Sequence, residues 1–136
     1  MFPSITYRGP MRLAPVNVAK SRWARAGMVP SDINVAKIYD CFMISMLLQL
    51  EDYGFCAKGE GESFAASGSI SPSGTNPINT DGGNMSGGYI HGLNHIVEGV
   101  PKMRGSADVQ IKNAETYLVN RGPIGIRSAM VLRRAA

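Results

Sequence analysis

Asn79-Thr80-Asp81-Gly82-Gly83-Asn84-Met85-Ser86-Gly87-Gly88-Tyr89-Ile90-His91-Gly92 gathers five glycines and two candidate proton carriers, Tyr89 and His91, into one turn. Glycine lets a backbone approach a ligand closely and reach positive φ. Gly82, Gly83, Gly87 and Gly88 therefore predict a main-chain wall against a substrate, with Asn79, Asp81 and Ser86 as its polar members. From Leu93 onward the apolar residues Leu93, Ile96, Val97 and Val100 keep helical spacing, so the loop leads into a helix N-terminus. Free N–H groups there favour an oxygen that gains negative charge during a reaction. His95, within that helix, is expected to be structural.

Downstream of this loop, Pro101 removes a backbone hydrogen bond and predicts a kink or an end in the helix. Residues 107–112 read as connection. Glu115 to Val119 and Ile126 to Leu132 read as strands joined by the turn residues Arg121-Gly122-Pro123-Ile124-Gly125, an antiparallel pair. Upstream, Pro77 to Thr80 reads as a short strand feeding the loop. The glycine-rich segment from Phe55 to Gly61 and the Ser-, Gly- and Pro-containing stretch to Pro77 read as one long loop, of the kind more often functional than idle.

The first half of the chain supplies the scaffold. Residues 1–17 read as an extended or disordered lead-in and 18–136 as the folded domain. Val18 to Ala26 predicts a short helix anchored by Trp23 and stopped at Gly27, followed by a turn at Pro30-Ser31-Asp32 and a strand over Ile33 to Ile38 that delivers Tyr39 to its end. Asp40 is expected to cap the next helix or to act as a hydrogen-bond anchor. Between Cys41 and Leu50 apolar residues fall on every side of the helical wheel, which predicts a helix buried all round, with Glu51, Asp52 and Gly54 ending it. This order of helices and strands indicates a mixed α/β sandwich.

Composition narrows the classes. A chain of 136 residues with 44% hydrophobic content is sufficient for one core, and no apolar run approaches the ~20 residues of a membrane span. The N-terminus lacks a basic segment followed by an apolar one, so a cytoplasmic protein is the expectation. Cys41 and Cys56 form no metal-ligand spacing and are expected to stay reduced, as small hydrophobes. The net charge of +4 comes mainly from the two ends, Arg8, Arg12, Lys20, Arg22 and Arg25, then Arg121, Arg127, Arg133 and Arg134. A solvated surface accounts for them; contact with phosphates or an acidic partner is the functional alternative. Nucleic acid is not expected, because no aromatic-basic platform accompanies the charges.

The glycine loop resembles the Gly-Gly-His-Pro signature of the C-terminal half of thiolases, in the lipid-transfer or sterol carrier protein x type branch, with Tyr89 at the histidine position and Ile90 at the proline. Three more stretches fit in order. Ala26-Gly27 with Pro30-Ser31-Asp32-Ile33 resembles the family's Ala-Gly-x-x-Pro-x-Asp-Ile lead. Tyr39-Asp40-Cys41-Phe42 stands where other thiolases have Asn-Glu-Ala-Phe, and Gly54 to Gly61 is typical of the branch.

This resemblance implies a thiolase-like half: a mixed sheet with a buried central helix and flanking helices. It also implies that the nucleophilic cysteine belongs to an N-terminal half outside this chain. At the position of the second catalytic cysteine stands Asn120-Arg121-Gly122-Pro123-Ile124-Gly125, so that role is unfilled. Instead Tyr39 and Tyr89 occupy the asparagine and histidine positions, a pair similar to that of the steroid side-chain aldolases in this branch. The implied activity is retro-aldol cleavage of a β-hydroxyacyl-CoA, with His91 orienting or relaying and Lys58, Gly59 and Glu60 lining an acyl-CoA channel. Coenzyme A enters as part of the substrate, with no other cofactor and no metal. The implied partners are an N-terminal thiolase half or a second copy, and an OB-fold acyl-CoA-binding protein. A thiolase-type acetyl-CoA acetyltransferase half and a non-catalytic lipid- or acyl-CoA-binding fragment are the alternatives.

Overall fold

The computed structural model describes residues 15–88, 90, 92–122 and 128–135. Helix α1 spans Pro15–Ala26, beginning three residues before the expected start at a proline suited to the first helical position. It ends at Gly27, whose φ of +61° supplies the left-handed stop. A single 3-10 turn follows at Pro30–Asp32, where the Asp32 carboxylate accepts the Val29 N–H at 2.8 Å. Strand β1 (Val35–Lys37) then leads to helix α2 (Met43–Tyr53). The segment expected to be a plain loop contains helix α3 (Gly61–Ala66). Helix α4 (Gly83–Ser86) lies inside the glycine loop, α5 is Leu93–Arg104, and β2 (Thr116–Arg121) and β3 (Ser128–Arg133) close the fold. Residues 123–127, which hold most of the expected turn between β2 and β3, and most of the lead-in lie outside the described residues.

The expected mixed α/β class is what the chain adopts. The sheet order is β1-β2-β3: β1 runs parallel to β2, with Val35 opposite Tyr117, and β2 is antiparallel to β3, with Tyr117 opposite Leu132. Because strand side chains alternate, the sheet presents two faces. Ala36, Leu118, Ala129 and Val131 join a core with Ala19 and Trp23 of α1 and Leu50 and Tyr53 of α2. Val35, Tyr117, Val119 and Leu132 meet Ile96 and Met103 of α5 on the other side. Three layers result, with the sheet in the middle. Trp23 is the anchor its position suggests, donating its indole N–H to the Tyr53 carbonyl at 3.1 Å and meeting that ring edge-on.

Two helices depart from expectation. Within this chain α2 is covered on one side only: Leu48, Gln49, Leu50 and Tyr53 are buried, whereas Phe42, Met43 and Ile44 are 67%, 67% and 56% exposed. Its second covering layer is not supplied by the described residues. Helix α5 continues through Pro101 and ends one turn later at Arg104, with the Pro101 nitrogen unable to donate to the Val97 carbonyl. It stops at Gly105, whose N–H reaches the Lys102 carbonyl while that of Ser106 reaches Pro101, a Schellman end. Its outward face leaves Leu93 and Val97 60% and 64% exposed. No helix among the described residues is long and apolar enough to cross a membrane.

Candidate functional site at the end of the first strand

The site is rooted by Asn79. Its side chain imitates a strand residue, accepting the Ile38 N–H and donating to the Ile38 carbonyl, both at 2.9 Å. Its own N–H bonds to the Ala36 carbonyl, and Pro77 accepts the Ala36 N–H, so the expected strand over 77–80 is reduced to one parallel bridge between Ala36 and Ile78. Asn79 adopts φ +50°, which asparagine tolerates better than most residues. The chain therefore turns sharply away from the sheet, and the Gly82 N–H closes the turn on the Asn79 carbonyl at 2.9 Å.

Two carboxylates then shape the loop. Asp81 accepts the Gly83 N–H at 3.1 Å and pairs with Lys37, a lysine at the end of β1 whose side chain is only 1% exposed. Burial works to raise the Asp81 pKa, but hydrogen bonds from Lys37 and Gly83, with the lysine charge, outweigh it and hold the carboxyl below its ordinary range. Asp40, 1% exposed, takes the second of its two expected roles, a hydrogen-bond anchor, and does not cap α2. It faces α4, accepting the Asn84 N–H at 2.9 Å and the Met85 N–H at 3.5 Å. The start of α2 is served by Ser45, whose hydroxyl accepts the Phe42 N–H. Gly83, at φ +71°, lies so close to Asp40 that a Cβ there would sit 2.0 Å from the carboxylate.

The amides of Gly82, Gly83, Asn84, Met85 and Gly87 thus all have partners inside the chain. The free donors expected of this wall are absent at those five positions, where Asp40 and Asp81 use the N–H groups to fix its shape. The start of α5 is likewise served, Leu93 donating to Ile90 and His95 to Gly92. Ser86, Gly87 and Gly88 form the exposed tip.

Tyr39 follows β1 directly and is buried. Its carbonyl accepts the Gln49 amide at 2.8 Å, and its ring lies 5.8 Å from that of His95, tilted by 55°. Gln49 also accepts a hydrogen bond from Asn120, whose carbonyl takes the His95 Nδ1–H at 2.9 Å. Gln49, Asn120 and His95 are all at most 2% exposed, so a buried polar network from α2, β2 and α5 meets Tyr39 at its carbonyl through Gln49 and at its ring through His95. Burial lowers the His95 pKa and the nearby Lys37 charge adds to this, against the Asn120 carbonyl, Asp40 and Asp81. The sequence alone does not single out Lys37, Gln49, Asn84 or Asn94, and it leaves His95 as a supporting residue. The available signal is a lysine inside an apolar strand and a glutamine inside an apolar helix.

Tyr89 and His91 lie outside the described residues. Lys58, Gly59 and Glu60 follow the C-terminal end of α2. Lys58 is held there by Asp52 and, at 3.6 Å, by Glu51, while Glu60 precedes α3 as its N-cap. Both cysteines are free. Burial, with Glu51 and Glu60 nearby, pushes the Cys56 thiol up to about 11, which leaves it protonated at neutral pH. Among the described residues no His, Cys, Asp and Glu cluster could hold a metal ion.

Comparison with known proteins identifies this arrangement. The model of the family described as "Thiolase C-terminal domain-like" matches residues 6–133. The chain belongs to that family. This thiolase C-terminal domain is 42% identical over 115 residues to the 17-hydroxy-3-oxo-4-pregnene-20-carboxyl-CoA lyase of Mycobacterium tuberculosis, covering 85% of the chain and 30% of the lyase. It is 40% identical over 115 residues to the steroid side-chain-cleaving aldolase of Thermomonospora curvata, covering 85% and 29%. Sterol carrier protein 2 of Bos taurus is 33% identical over 118 residues, covering 84% and 21%. Among solved structures, the Ltp2-ChsH2(DUF35) aldolase superposes with a TM-score of 0.87 at 35% identity, over 94% of this chain and 34% of that one. The domain therefore spans about a third or less of the length of the relatives it matches.

Proposed function

We propose that this domain is the C-terminal half of a carbon–carbon lyase that cleaves a β-hydroxyacyl-CoA thioester of the steroid side-chain type, with Tyr39 and Tyr89 as its acid–base pair. The observation that carries the reading is the placement of Tyr39, directly after β1 and beside a hydrogen-bonded glycine loop, with Gln49 on its carbonyl and His95 against its ring. The names of the two lyase and aldolase relatives support the same chemistry.

In this reading one tyrosine takes the proton of the β-hydroxyl. The Cα–Cβ bond then breaks, a ketone forms at Cβ, and the electron pair moves into the thioester as an enolate. The other tyrosine returns a proton to Cα, releasing a shortened acyl-CoA. No acyl-enzyme is needed, which suits a chain with Tyr89 at the position of the histidine that activates the thiolase nucleophile. A phenol, with its reference pKa of ~10, serves such a step once its surroundings fix its attitude. The acyl-CoA approaches the exposed tip from Ser86 to Gly88, and the uncovered faces of α2 and α5 take an N-terminal thiolase half. An OB-fold acyl-CoA-binding protein completes the assembly, in keeping with the paired name of the matching Ltp2-ChsH2(DUF35) aldolase.

The test is co-expression with an N-terminal thiolase half and an OB-fold partner, followed by assay on a 17-hydroxy steroid-CoA ester. Tyr39→Phe and Tyr89→Phe each keep the ring and are expected to lower turnover by about 100-fold or more. Unchanged turnover in either variant defeats the two-tyrosine chemistry. Thiolysis of acetoacetyl-CoA without lyase activity favours the acyltransferase reading, and acyl-CoA binding without turnover favours a binding fragment.

A further inference from the structure

His95 is a fully buried imidazole that the proposed chemistry does not use. Its Nδ1 faces the Asn120 carbonyl, which can only accept, so Nδ1 carries a proton. Its Nε2 lies 3.2 Å from the Asn84 side-chain oxygen, and that oxygen also accepts from Asn94 at 2.9 Å. The Asn94 amide continues to the carbonyl of Gly88 at 3.4 Å. A chain of side chains thus runs from α5 through α4 to the residue just before Tyr89, while the other face of the same ring packs on Tyr39.

With the amides in this sense, a carbonyl oxygen opposite Nε2 calls for a second ring proton, and the Asn84 Nδ2 and Asn94 Oδ1 are left without partners among the described residues. Turning both amides over removes the conflict for a neutral ring: the Asn84 amide then donates to Nε2 and to the Asn94 oxygen. It also sets the Asn94 oxygen against the Gly88 carbonyl and breaks that link. Whether Gly88 is held therefore depends on the order of two asparagine amides that answer to His95. Burial and the Lys37 cation favour the neutral ring, and the Asp40 and Asp81 carboxylates favour the charged one; Tyr39 is the other titratable group against it.

We infer that His95 is a positioning residue of the lyase site: through ring contact it sets Tyr39, and through Asn84 and Asn94 it ties that ring to the backbone at Gly88. The inference rests on the proposed function for its kinetic reading, and on geometry alone for its spectroscopic one. A small displacement of a reacting group far from the altered residue is enough to slow a reaction by up to about 100-fold, so the relay need not touch substrate.

The experiment uses the assembled enzyme with Asn94→Ala, His95→Phe and His95→Gln. Asn94→Ala, at a partly exposed position, is expected to lower kcat between about 10- and 100-fold with KM changed less than about twofold. His95→Gln, which retains a donor, is expected to recover part of the rate lost in His95→Phe. Wild-type kcat in Asn94→Ala and His95→Phe overturns the inference. In parallel the chain is labelled with 3-fluorotyrosine. Asn94→Ala is expected to move the Tyr39 fluorine signal, through Asn84 and His95, and leave those of Tyr53 and Tyr117 in place; a stationary Tyr39 signal overturns the inference. If the wild-type assembly cleaves no CoA ester, the proposed function fails and the fluorine result alone decides the positioning role.

Discussion

The carboxylate of Asp40 accepts the backbone N–H of Asn84 at 2.9 Å across forty-four positions of sequence, tying the end of β1 to the centre of the glycine loop. Hydrogen bonds to a charged acceptor contribute about 1.5–3 kcal/mol each. Asp40→Asn keeps the size and replaces one acceptor oxygen with a donor facing another donor. Urea unfolding is expected to show a loss of about 1.5–3 kcal/mol. A midpoint equal to wild type would show that the bond does not hold the loop.

Gly83 packs against the same carboxylate. Gly83→Ala has no room for its Cβ and an unfavourable positive φ, so the loop must shift away from Asp40. Lyase turnover in the assembled protein is expected to fall about 10-fold or more. Retention of full turnover would show that the placement of this wall does not matter to the reaction.

Gly99 is the point of closest approach between α5 and the sheet. A Cβ there would lie 2.6 Å from the Tyr117 ring and 2.8 Å from Leu132. Overpacking of this kind costs about 1–3 kcal/mol, and the expected effect of Gly99→Ala is a lowered melting temperature without loss of the sheet signal by circular dichroism. A stabilised variant would contradict the packing described.

His95 gives stability a pH dependence whose sign is fixed by its lowered pKa. The unfolded chain, with its histidine near 6.5, binds a proton before the folded chain does. Stability is therefore held above that pH and lost as pH falls through it toward the folded value. The melting temperature of the wild type is expected to drop between neutral pH and mild acid more steeply than that of His95→Gln. Parallel curves for the two proteins would assign the acid sensitivity elsewhere.

Leu93 and Val97 on α5, with Phe42, Met43 and Ile44 at the start of α2, leave apolar surface uncovered on the chain alone. Such surface drives association. Sedimentation velocity of the isolated chain is expected to show self-association that Leu93→Lys with Val97→Lys reduces. A concentration-independent monomer in the unaltered chain would show that these faces need no partner.

What is legible in the sequence follows from local signals. The period of Leu93, Ile96, Val97 and Val100 marks α5, and the apolar runs around Tyr117 to Val119 and Ala129 to Leu132 mark the antiparallel pair, although Arg121, read as a turn residue, still belongs to β2. Asp40 serves α4 and not the helix beside it in sequence: proximity favours α2, whereas its partners arrive through a long-range fold contact. The apolar run at the start of α2 suggests burial on every side, yet its first residues face outward and the glutamine among its later ones is fully buried. Polar residues such as Lys37, Gln49 and His95 read as surface or support in isolation. Only the meeting of three layers sets Gln49 on the Tyr39 carbonyl, His95 against its ring and Lys37 on Asp81.

Asn79 separates the root of the glycine loop from its tip. Its side chain copies the bonding of a neighbouring strand, so the loop's point of departure is set by the sheet and not by the residues that follow. Under the proposed function, substitutions at Ser86 and Gly88 therefore vary what the rim admits while its foundation stays put, whereas a side chain at Gly87 would meet the Gly83 carbonyl at 2.9 Å. A library for bulkier or smaller thioesters belongs at those two positions, with Asn79 left untouched.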